Sequence, residues 1–152
     1  MQVNFFMSCN CILGNSCNMC ELAQLHLKQT YSLPILTYAV AAIKISDKQL
    51  KEINASWNSV YQRIFKFHRW ESVKLFIYGL GNLDFKHILM KLSVKFYLSM
   101  QLSNNSVIKQ YFKFFKNSDE FIKFSCLSRC SENLSFYAVS SLIYDAFKLS
   151  VL

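Results

Sequence analysis

A chain of 152 residues that is 53% hydrophobic, with 14 Phe, is long enough to bury a core and too apolar to be disordered. Three Gly and one Pro are too few for a turn-rich β-barrel, so the expected fold is mainly α, a helical bundle forming one domain at most. Seventeen Lys and Arg against nine Asp and Glu give a formal net charge of +8, which puts nucleic acid first among partners and an anionic membrane second, with plain solubility as the alternative.

Met1 to Leu13 is apolar, but no basic residue precedes the hydrophobic stretch, so it makes a poor secretory signal and the chain is expected to be intracellular, cytoplasmic or nuclear. Glu21 to Thr30 reads as an amphipathic helix with Leu22, Leu25, Ala23 and His26 on the buried side and Lys28 and Gln29 toward solvent. Pro34 cannot donate a backbone hydrogen bond and disfavours α geometry at Leu33, so a kink or break is expected at Ser32 to Pro34. The apolar run Ile35 to Ile45 fits a buried helix or a buried strand; its alanines favour helix.

The clearest helix start is Ser46, which can cap while Gln49 reaches back to complete a capping box. Leu50, Ile53, Trp57, Val60, Ile64 and Phe67 follow at helical spacing, predicting a helix over 47–67 with one buried stripe. A second helix is expected over 71–80, ended by Gly79 and Gly81. Asn82 or Asp84 can cap a third, with Phe85, Ile88, Leu89, Leu92 and Phe96 inward and Lys86, Lys91 and Lys95 outward. Ser103 to Ser106 is the plainest loop, after which helices are expected over 107–116, 119–124 and 134–149. Asp145 and Lys148 in the last of these argue for a core-facing helix over a membrane span.

Chemistry-bearing patterns are sparse. Template-directed polymerisation needs paired carboxylates holding divalent metals, and the only adjacent acids, Asp119-Glu120, read as the first turn of a helix. Cys9, Cys11, Cys17, Cys20 and His26 invite a zinc reading, but the spacing is too short for a ribbon or knuckle, so buried or free thiols are preferred and no metal is assigned. Cys126 and Cys130 are spaced for packing on one helix face. None of His26, His68 and His87 has an evident nucleophile or orienting acid beside it, and there is no Gly-x-Ser-x-Gly or Walker-type loop. No enzyme activity and no cofactor are therefore expected.

Basic residues form the stronger pattern. Arg63, Lys66, His68, Arg69 and Lys74 gather at a helix junction beside Phe67 and Trp70, where they can neutralise phosphates without reading sequence. Trp70 is read as core, with base stacking as the alternative. Lys109, Lys113 and Lys116, interleaved with Tyr111, Phe112, Phe114 and Phe115, form a basic-aromatic strip best read as a helix with buried rings and solvated amines, and a membrane-surface helix is the other option.

Pro34 in its aliphatic run, Trp57-Asn58, the block Arg69-Trp70-Glu71-Ser72-Val73-Lys74 and the sequence Gly81-Asn82-Leu83-Asp84-Phe85 occur in an order and at separations that resemble one family. It is the reverse transcriptase polyprotein of non-LTR, LINE-type retrotransposons, in the thumb and connection that follow the palm. The resemblance covers about Phe5 to Phe96 and is strongest from Tyr31 onward. It implies a thumb-like region over 1–102, without a complete catalytic palm, and a Phe-rich helical tail over 103–152 with no assigned role. It also implies a non-catalytic fragment of an RNA-directed DNA polymerase that grips template-primer nucleic acid through Arg63, Lys66, His68, Arg69, Lys74, Lys86, Lys91 and Lys95, its palm supplied by the parent polyprotein. Gln62 stands where the family usually has a basic residue, so no phosphate contact is assigned there. The alternatives are a helical interaction or membrane-surface protein and a truncated product without function.

Overall fold

The computed structural model describes residues 2–38, 45–115 and 136–151. Every regular element among them is helical, in the order α1 (Gln2–Asn15), α2 (Glu21–Leu27), a π turn (Lys28–Ser32), α3 (Leu33–Thr37), α4 (Asp47–Ile64), α5 (Lys74–Gly79), α6 (Phe85–Leu102), α7 (Ser106–Phe115) and α8 (Phe136–Val151). The predicted helix over 119–124, the acids Asp119-Glu120, the thiols Cys126 and Cys130, and Lys116 lie outside the described residues, as do residues 39–44.

The central element is α4. It starts on the predicted capping box: Gln49 N–H donates to Ser46 Oγ at 3.3 Å, and Ser46 N–H donates to Gln49 Oε1 at 3.0 Å. Ile53, Trp57, Val60, Tyr61 and Ile64 form its buried stripe. They meet Phe5 and Cys9 of α1, Leu25 of α2, Leu36 of α3, Ile77 of α5, Phe85 of α6 and Phe147 of α8 in one core. The rings of Phe5 and Trp57 are 6.4 Å apart, and Tyr61 meets Trp57 edge-on at 5.6 Å.

Two helices end in the same way. After α4 the chain turns through Lys66 in the left-handed region (φ 57°), and Phe67 N–H donates to Gln62 O. After α5 it turns through Gly81 (φ 69°), with Asn82 N–H bonded to Ile77 O and Gly81 N–H to Tyr78 O. Both are Schellman ends, the second with the expected glycine and the first with a lysine in the glycine position. The predicted 47–67 helix therefore stops at Ile64, and Phe67 belongs to the turn.

The apolar side chains of residues 2–15 do not gather on one face, and α1 forms there with Phe5 and Cys9 buried in the core. Several expectations are corrected. The helix after Glu21 is rotated from the expected face: Leu25 is buried as expected, but Leu22 is 62% exposed and His26 is exposed, whereas Lys28 is 1% exposed. Pro34 does not break the chain's helical path. Its ring would crowd the carbonyl four residues back, and the turn before it widens, Leu33 N–H reaching back to Lys28 O, so that helix resumes in α3. That helix covers the start of the expected 35–45 helix and ends at Thr37; the remainder of that expectation falls on residues 39–44, outside the described residues.

The expected helix over 71–80 begins only at Lys74, because Glu71 is engaged in the preceding turn, its Oε2 accepting from His68 N–H at 2.7 Å. In α6 Phe85 is buried as expected, Ile88, Leu89, Leu92 and Phe96 are half-buried, and His87, Ser93 and Met100 are buried instead. Asn105, in the predicted loop, caps α7 by accepting from Val107 N–H at 2.9 Å. The last helix, α8, returns to the core: Phe147 sits against His87 and Tyr78, and Tyr144 Oη donates to Tyr78 O at 3.3 Å. Among the described residues no helix is long and apolar enough to cross a membrane.

Candidate nucleic-acid interface

The junction between α4 and α5 is a tight turn held from within by side chains. Gln62 Nε2 donates to the carbonyls of Arg69 (3.2 Å) and Glu71 (2.9 Å), so the residue that replaces a basic one in the resembled pattern closes the turn. Phe65 and Phe67 both pack edge-on against Phe76 of α5, at 4.6 and 5.1 Å. With backbone and rings fixed, the polar side chains project outward: Arg63, Lys66, His68, Arg69 and Lys74 are all exposed.

Trp70, expected in the core, is 82% exposed. Its ring lies parallel to that of His68, 3° from coplanar and 4.6 Å away. One face of the indole is thus covered and its orientation set, which leaves an exposed aromatic plane beside several cations. Base–aromatic stacking needs just such a plane, and it is tolerant of sequence because every base has a π-face. The sequence hid this because Trp70 lies two residues after His68 in a non-helical turn, where helical spacing has no meaning.

The cations do not act as one row. Arg63 Nη1 donates to Asn10 Oδ1 at 2.6 Å, which ties the end of α4 to α1. Arg63 and Arg69 border the same cleft, with Phe6 and Phe67 among its walls. Lys74 lies on the other side of the turn, where its charge helps hold the Asp84 carboxyl low. On α6, at about 100° per residue, Lys91 and Lys95 are roughly 40° apart while Lys86 is about 180° from Lys95, so the three do not share a face. Lys86 and Lys95 are exposed and Lys91 is half-buried.

Asp84 and His87 form a buried pair that the sequence reading passed over. Asp84 Oδ1 accepts from His87 N–H at 3.0 Å, capping α6, and lies 2.5 Å from His87 Nδ1. Burial pushes the Asp84 carboxyl up, but the side-chain and backbone bonds from His87, with the charges of His87 and Lys74, outweigh it and leave it below the ordinary value. The other side of the imidazole faces Phe147, 5.0 Å between ring centres, so the pair joins the start of α6 to α8. Spacing of i, i+3 from an N-cap was the signal.

Lys28 is the least expected residue. Its Nζ lies 3.5 Å from the centre of the Trp57 ring and 3.4 Å from that of Tyr61, and among the described residues it has no hydrogen-bond partner. Burial drives its amine well below 10.5, opposed by the nearby Cys9 thiol. Burial in turn pushes the Cys9 thiol up, with Ser32, Lys28 and Arg63 pulling the other way. Burial also raises the Tyr61 phenol to about 12, against a smaller pull from Gln29. These groups are enclosed by α1, α4 and the π turn.

The thiols are not assembled. Cys9 is buried and Cys11, Cys17 and Cys20 are exposed, and among the described residues no three His, Cys, Asp or Glu are placed to hold a metal ion. No family model matches the chain, and comparison with curated protein sequences and with solved structures yields no match, so the site rests on its own geometry.

Proposed function

We propose that this chain holds nucleic acid without acting on it, as a thumb-like helical fragment of the non-LTR reverse transcriptase type, and that the α4–α5 junction is the gripping surface. The observation that carries the reading is the Trp70 plane, backed by His68, on the same turn as the exposed cations Lys66 and Arg69 and following the helix that ends with exposed Arg63. Cations take phosphates in any sequence, and the indole takes a base, so the surface suits a template-primer end. Support for the lineage comes from the way the resembling motifs engage each other. Trp57 Nε1 donates to Leu83 O at 3.2 Å, and Asn54 Oδ1 accepts from Phe85 N–H at 3.0 Å, which ties the Trp-Asn helix to the Leu-Asp-Phe cluster.

The test is the affinity for an RNA–DNA duplex across a salt series. Three phosphate contacts, from Arg63, Lys66 and Arg69, predict a slope of about −2.7 in log K against log salt, or roughly a fortyfold loss between 50 and 200 mM. The triple Ala variant should lose both the binding and the slope; salt-independent binding, or none by folded protein, would refute the reading.

A second reading has one observation in its favour. On α7, Val107, Tyr111 and Phe114 are exposed along one side, and Lys109 and Lys113 are exposed as well. A helix of that kind can lie on an anionic bilayer. Binding to anionic vesicles that Phe114→Ser abolishes, with no binding to the duplex, would favour it.

A further inference from the structure

The Arg63–Arg69 side of the junction opens into a cleft of about 450 Å³. Phe6 of α1 forms one wall, Ala55, Ser59 and Arg63 line it from α4, and Phe67 and Arg69 enter from the turn. Among the described residues no acidic side chain lines it, and its volume is at the small end of the range for small-molecule sites, with room for one nucleotide and not for duplex. Phe6 and Phe67 are half-buried, packed against the core while lining the cleft. Arg63 spends one of its five N–H donors on Asn10 Oδ1, which fixes the guanidinium where α1 meets α4. The Arg69 carbonyl is held by Gln62 Nε2, which fixes where its side chain leaves the turn. Aromatic walls and two guanidiniums, that of Arg63 anchored, with no carboxylate among the described lining residues, match a planar base carrying a phosphate.

We infer that this cleft takes a single unpaired nucleotide of the bound strand, its base against Phe6 and Phe67 and its phosphate on Arg63 and Arg69. This inference rests on the nucleic-acid reading above and narrows it: a paired base is stacked inside its duplex and out of reach, so the protein selects strand ends and overhangs over blunt duplex. Trp70 and Lys66 remain for the adjoining duplex.

The experiment compares the full chain's affinity for a blunt RNA–DNA duplex, for the same duplex with a one-nucleotide overhang, and for that overhang made abasic. Stacking of one base makes the intact overhang on the order of tenfold tighter than the blunt duplex, and the abasic overhang no tighter than the blunt one. Ala55 is exposed, so Ala55→Phe fills the cleft from its edge without disturbing the core. This variant should bind all three duplexes alike, at the blunt affinity of the native chain, while Ala55→Ser should keep the preference. Equal affinity for blunt and overhanging duplex, an abasic overhang that retains the gain, or a preference that survives Ala55→Phe would each overturn the cleft assignment and leave the junction reading standing. Absence of binding to every duplex would overturn both.

Discussion

Replacing Lys28 with Met should make the protein more stable. Several kcal/mol is the usual effective penalty for taking an ion out of water, and Lys28, 1% exposed and without a hydrogen-bond partner among the described residues, bears it in full when charged. The faces of Trp57 and Tyr61 return roughly 2 kcal/mol or more between them, which does not cover the penalty, so the amine is held well below 10.5. Methionine has a similar length, carries no orphan donor and makes favourable contacts with both rings. The expected gain at pH 7 is about 1–3 kcal/mol, or roughly 3–10 °C in Tm for a chain of this size.

The sign with pH is fixed by linkage. Between its folded and unfolded values the lysine binds more protons when unfolded, so it adds to stability as pH rises, by up to about 1.4 kcal/mol per pH unit as 10.5 is approached. Cys9 and Tyr61, both raised on folding, act in the opposite sense above 9.0 and 10.0, but they are present in both proteins. Urea denaturation at several pH values between 7 and 10 should therefore show the advantage of Lys28→Met shrinking as pH rises. A variant less stable than the native chain at pH 7, or an advantage constant with pH, would refute the argument and give the amine a stabilising role.

Three further outcomes follow from the packing. Because the Asp84 carboxyl is lowered on folding, it contributes stability above its ordinary value of 3.8 and loses it as pH falls through the lower folded value; Asp84→Ala should cost about 1–2 kcal/mol at pH 7 and flatten the acid branch of a stability-against-pH curve. Lys66→Gly should stabilise by about 0.5–1 kcal/mol in urea denaturation, since glycine accepts φ 57° without strain, while duplex binding loses about 0.9 from its salt slope. Of the two tryptophans, Trp57→Ala should cost about 3–5 kcal/mol in thermal or urea melts, and Trp70→Ala should leave stability within about 0.5 kcal/mol while weakening nucleic-acid binding.

What could be read in the sequence was what local chemistry decides. The α4 cap depends on two residues three apart, its stripe on one helical period, and the end of α5 on a glycine, and all three were legible. That the junction cations face solvent was legible too. Hidden were features that only a partner determines: α1 is helical because the core receives Phe5 and Cys9, and the π turn brings Lys28 inward because two aromatic faces await it on α4. Trp70 misled for a related reason. Burial of an aromatic in a helix follows its period, but in a turn it follows the turn's geometry, which here was set by Gln62, Glu71 and a left-handed Lys66.

The π turn sets the phase of the N-terminal third of the molecule. Gln24, Lys28, Ser32 and Leu36 are all buried and stand four residues apart. In an unbroken α-helix that spacing would drift by about 40° per step, carrying Leu36 roughly 120° away from the face that holds Gln24. The widened turn takes back part of the drift, so one side of the chain stays against α4 across the proline. Removing the exposed Tyr31 would restore ordinary α bonding there and leave Ser32 and Leu36 each within about 20° of the face that holds Gln24, so both would stay toward the core. The wide turn thus absorbs the one residue by which the chain between Gln24 and Leu36 exceeds three α turns, and places an exposed side chain, Tyr31, within it.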